Sequence, residues 1–86
     1  IRVEKSGTVR VFIVEDSPVI RERLTESVSS PGRIEVVGYA ESEANALAAL
    51  RRAEWDAVIL DLQLKEGNGL RVLKALREGR EGKLVI

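Results

Sequence analysis

Three carboxylates bound the chemistry open to this sequence. Glu15 and Asp16 are adjacent and close the apolar run Val9-Arg10-Val11-Phe12-Ile13-Val14, and Asp61 closes a second run, Ala57-Val58-Ile59-Leu60. The chain has no histidine and no cysteine. That excludes Ser-His-Asp and Cys-His catalysis, disulfides and Cys-ligated zinc. Acids brought together repel, so their pKa values rise or a cation neutralises them. Oxygen ligands alone favour Mg2+, Ca2+ or Mn2+. Mg2+ needs one or two carboxylates, a carbonyl, waters and often a phosphate oxygen, a site suited to phosphoryl transfer. A carboxylate also serves as a nucleophile that forms an acyl phosphate, and Asp61, alone at the end of the most apolar run, is the candidate.

Taken singly, these residues have plainer readings. Glu15-Asp16 reads equally well as acids preceding a helix start, and Asp61 as a residue opening a loop. Ser17 is a helix cap, since nothing activates it as a nucleophile. Trp55 packs a helix end, and Arg51-Arg52 is a solvated one. Gly67-Asn68-Gly69 is not a dinucleotide loop, because Val72 occupies the third glycine position. Asp61-Leu62-Gln63-Leu64-Lys65 lacks the alternating oxygen ligands of a calcium loop. What favours a site is convergence, and convergence depends on the fold.

The elements that would position the acids alternate. A strand over 9–14 leads to a helix begun by Ser17-Pro18, with Ile20, Leu24 and Val28 as its apolar stripe. Ser29-Ser30-Pro31-Gly32 stops it. Ile34 to Ala40, with its polar insertions, predicts an edge strand. A helix from Ser42 or Glu43 follows, with Ala46, Leu47 and Leu50 inward. Ala57 to Leu60 is a strand buried on both faces. After a loop from Gln63 to Asn68, a third helix spans Gly69 to Arg77 with Val72, Leu73 and Leu76 inward. A turn over Gly79 to Gly82 and a strand from Lys83 close the chain. Such alternation predicts an α/β fold with a parallel sheet. Strand order 2-1-3-4 puts the first helix on one face, the other two on the opposite face, and all three acids at the switch point.

The bulk composition is that of one small globular domain of 86 residues. Fourteen basic and fourteen acidic residues cancel, so nothing suggests nucleic acid or a membrane surface as partner. No apolar run approaches the roughly 18 residues of a membrane span, and Ile1 to Lys5 does not read as a signal peptide. Without cysteine the chain fits a reducing compartment, and a cytoplasmic location is expected. Residues 1–7 are a polar lead-in. The chain starts at Ile1 without any Met, so a trimmed product is expected.

Val11 to Ser17, with Asp56 to Leu64 and Gly69, resembles the receiver domain of bacterial two-component response regulators, over about 8–86. The resemblance implies a flavodoxin-like three-layer α/β/α fold and a signalling switch, not a turnover enzyme. It implies that Asp61 takes a phosphoryl group from the phosphohistidine of a sensor histidine kinase. It further implies Mg2+ held by Asp16, Asp61 and the backbone carbonyl of Gln63, with Glu15 acting through water. Where the family usually has Pro this chain has Lys65, which is expected to loosen the loop slightly. The family's later Ser or Thr and Lys lie beyond Ile86, so a partial receiver is expected, with the fourth strand as an apolar edge open to dimerisation or a domain swap. The rival functions are a receiver fold serving only as an interaction module, and a metal-dependent phosphohydrolase, which the lack of a general base disfavours.

Overall fold

The computed structural model describes residues 7–52, 54–79 and 84–85. Strand β1 spans Val9–Val14, helix α1 Pro18–Val28, strand β2 Ile34–Ala40, helix α2 Glu43–Arg52, strand β3 Ala57–Leu60, helix α3 Gly69–Gly79 and strand β4 Leu84–Val85. The strands form one sheet in the order β2-β1-β3-β4, parallel at each pairing. This is the expected order, and it leaves β2 at an edge.

Local chemistry explains the boundaries. Ser17 caps α1, its Oγ accepting the Ile20 amide at 3.3 Å, and Pro18 opens the helix. Ser42 caps α2 in the same way, accepting the Asn45 amide at 3.2 Å. Asn68 caps α3 through the Leu70 amide at 2.8 Å. Helix α3 runs to Gly79, two residues past the expected end. The lead-in over 1–6 and the turn over 80–82 lie outside the described residues.

The two faces of the sheet are covered unequally. On one face α2 and α3 pack Ala46, Leu50, Val72 and Leu76 onto Phe12, Val14, Ala40 and Val58, with Trp55 closing the end. The Trp55 indole N–H donates to the Leu50 carbonyl at 3.1 Å. On the other face Val11, Ile13 and Ala57 meet Leu24 of α1. No residue of α1 is fully buried, and Ile20, assigned to its apolar stripe, is exposed. Only Leu24 and Val28 of that stripe are half-buried, because α1 rests on the sheet along one side.

The pairing of β1 with β2 slips by one residue between Val11↔Val36 and Phe12↔Gly38, leaving Val37 without a partner. The extra residue reverses which face later side chains take. Val36 therefore sits with the α1 cluster, while Ala40, four residues on, joins the α2/α3 core. Gly38 comes to lie beneath Phe12, where a Cβ would stand 2.9 Å from the ring.

At the far end of the sheet Asp56 is fully buried. It accepts the Arg10 amide at 2.8 Å and the Arg10 guanidinium at 3.2 Å, and Arg10 also pairs with Glu54 at 2.7 Å. This pair fastens the entry of β3 to β1.

Candidate functional site

The sheet ladder continues one residue past the strands and so delivers the acids to one rim. The Glu15 amide donates to the Ala40 carbonyl at 3.0 Å, and the Asp61 amide donates to Val14 at 2.9 Å. Glu15, Asp16 and Asp61 each offer a carboxylate oxygen within 4.8 Å of the others. The convergence expected from the strand order is present. An octahedral Mg2+ with ligands at about 2.1 Å holds them roughly 3 to 4 Å apart, so this oxygen-only cluster is on the right scale for a hard cation.

Each carboxylate already accepts one backbone N–H. Ser17 donates to Glu15 Oε2 at 3.0 Å and Gln63 to Asp61 Oδ1 at 2.9 Å, both from two residues along the chain. Lys65 donates to Asp16 Oδ2 at 2.7 Å across 49 positions. Lys65 therefore ties its loop to β1, the reverse of the expected loosening. A proline has no N–H to donate there. Gln63 sits in the turn directly after Asp61.

The two neighbouring acids after β1 respond in opposite directions. Burial raises the Glu15 pKa above its ordinary value; the Ser17 amide lowers it, and the charges of Asp61 and Asp16 add to the rise. The Lys65 amide is the main reason that the Asp16 pKa lies below its ordinary value. The uniform rise expected for clustered acids holds for Glu15 and fails for Asp16, which has a strong donor.

Further residues build the rim around the three carboxylates. Arg21 Nη1 donates to the Glu15 carbonyl at 3.1 Å, pairs with Glu41 at 3.4 Å and stacks over the Tyr39 ring at 3.9 Å. Glu43 Oε1 accepts the Asn68 amide at 2.8 Å, and the Glu43 amide donates to the Glu66 carbonyl at 3.1 Å. Gly67 adopts φ +99° against Glu43, and Gly69 lies so close to the Asp61 carbonyl and Leu62 Cα that no side chain fits. Of these only the glycines leave a signal in the sequence. Glu43 is visible merely as an acid in a helix's first turn, and an amide donor leaves no trace beyond the absence of proline.

A family model described as the response regulator receiver domain matches residues 11–86. The DNA-binding transcriptional activator DevR/DosR of Mycobacterium tuberculosis is 37% identical over 68 residues, covering 79% of this chain and 31% of that protein. A protein-glutamate methylesterase/protein-glutamine glutaminase of Trichodesmium erythraeum is 39% identical over 69 residues, covering 80% of this chain and 20% of its own length. The solution structure of the receiver domain of the response regulator PhyR from Erythrobacter litoralis superposes with a TM-score of 0.79 at 27% identity, covering 96% of this chain and 64% of that one. The chain thus spans a third or less of the two relatives' length. Among the described residues no helix is long and apolar enough to cross a membrane.

Proposed function

Because this chain belongs to the response regulator receiver domain family, we propose that it is a phosphorylation switch in which Asp61 is the acceptor. The observation that carries this reading is the meeting of Glu15, Asp16 and Asp61, from two adjacent strand ends, within 4.8 Å. The Asp61 carboxylate attacks the phosphorus of a phosphohistidine. The O–P bond forms, the P–N bond breaks, and the imidazole nitrogen leaves and takes up a proton. The product is an acyl phosphate on Asp61 and a restored histidine on the donor. The 86 residues hold no histidine, so the donor histidine lies outside them, and we assign it to a sensor histidine kinase.

Asp16, Asp61 and the Gln63 carbonyl would hold Mg2+, with Glu15 acting through water. Bound there, the cation would offset the charge that builds on the transferring oxygens. The chain's own contribution is positional. The β3 ladder fixes the Asp61 backbone, and the Gln63 amide fixes one carboxylate oxygen, which leaves the other to attack. With neither histidine nor cysteine as a general base, one modification per chain is expected in place of turnover.

Acetyl phosphate with Mg2+, read by intact-mass spectrometry, tests this. One phosphoryl adduct should form, disappear in Asp61→Asn and drop sharply when the metal is chelated. An adduct that survives Asp61→Asn places the acceptor elsewhere. An unmodified wild-type chain favours the interaction module.

A further inference from the structure

We propose that the backbone amide of Lys65 is the positioning group that holds Asp16 in the acidic cluster, and that through it the loop after β3 is coupled to cation binding. The coupling rests on the Mg2+ reading above. The three acids are not held alike. Glu15 is buried and Asp61 stands at the end of a sheet strand, and each accepts an amide from its own turn. Asp16 is only half-buried, and the amide it accepts comes from the other side of the site. Repulsion from Glu15 and Asp61 drives its carboxylate toward water. The Lys65 amide, 2.7 Å from Oδ2, opposes that drift. A carboxylate accepts several partners, so an oxygen that takes the amide leaves capacity for a cation.

The same bond organises the loop. Segment 62–68 is pinned to Asp16 through Lys65 and to Glu43 through the Asn68 amide and the Glu66 carbonyl. A cation that fixes Asp16 therefore steadies the loop. By linkage, a loop that holds Asp16 in place strengthens cation binding to the same degree. The effect belongs chiefly to the amide; the lysine charge adds only a smaller attraction to Asp16. Any residue except proline could supply it.

Two substitutions in the 86-residue chain separate the amide from the side chain. Lys65→Ala keeps the N–H, and Lys65→Pro removes it at a position where the family usually has proline. In Mg2+ titrations followed by amide NMR, Lys65→Ala should bind within about twofold of wild type and Lys65→Pro at least about threefold more weakly. Equal or tighter binding by Lys65→Pro overturns the proposal, as does an equal loss in Lys65→Ala. A metal-free measurement decides the clasp separately. Exchange of the Lys65 amide should quicken at least about fivefold in Asp16→Ala, and an unchanged rate overturns it. A wild-type chain that binds no Mg2+ overturns the cation reading and the coupling with it, while the exchange result still stands or falls alone.

Discussion

Glu15 and Asp16 are adjacent in sequence, yet folding shifts their pKa values in opposite directions. The raised Glu15 value means that its contribution to stability is fully present below about pH 4.5 and is lost as pH rises through the folded pKa. At neutral pH its charge is a cost. Glu15→Gln keeps an oxygen for the Ser17 amide and removes the charge. It should raise the metal-free Tm at pH 7 by roughly 2–5 °C, with the gain fading toward pH 4, in melts at both pH values. The lowered Asp16 value has the opposite sign: its contribution is present above about pH 3.8 and is lost as pH falls through the folded pKa. Asp16→Ala should therefore lose stability at pH 7 and little in stronger acid. The sequence made the three acids and their rim legible, because apolar runs that end in a carboxylate announce strand ends. It hid which acid is buried and which is clasped, since both depend on partners distant in the chain. It also hid the work of Asp56, whose burial against Arg10 follows only from the pairing of β1 with β3. Asp56→Ala should lower the unfolding free energy by about 2–4 kcal/mol in urea titrations, because Arg10 loses its buried partner.

The elements themselves were readable because each carries its own punctuation: Ser17-Pro18 before α1, Ser42 before α2, and two-faced apolar runs for β1 and β3. The one-residue slip at Val37 was not readable. The adjacent Val36 and Val37 interrupt the alternation of Ile34 to Ala40 without announcing a bulge, and only the observed register shows that its faces exchange halfway. The start of α3 is similarly tertiary. Gly69 is helical, but its role is to let the helix begin against the Asp61 carbonyl, where a Cβ would overlap backbone. Backbone cannot yield as a flexible side chain does, so α3 would have to move away from the end of β3. Gly69→Ala should cost about 2 kcal/mol or more in urea unfolding. It should also slow phosphorylation of Asp61, because the displaced carbonyl belongs to the acceptor. Gly69→Ala with unchanged stability and rate would show that the close approach has no consequence.

The molecule as a whole places its rigid packing and its electrostatic strain in different regions. Packing is concentrated between the sheet and α2/α3, while the rim gathers three acids that repel in the absence of a cation. The fold therefore carries a destabilising feature where its chemistry is proposed, and this gives opposite signs for one substitution under two conditions. Without metal, Asp61→Asn removes one of the charges that press on Glu15, so its Tm should exceed that of wild type. With metal, the order should reverse. A cation at tenfold its Kd stabilises wild type by about 1.4 kcal/mol, a rise of roughly 5–10 °C for a domain of this size. Asp61→Asn, with a ligand lost, should rise far less. A purely structural cluster gives the first difference without the second. A cation bound elsewhere on the chain gives equal rises in both proteins. Only a shared site at the strand ends makes the two melting curves cross as Mg2+ is added, and scanning calorimetry across a Mg2+ series reads that crossing directly.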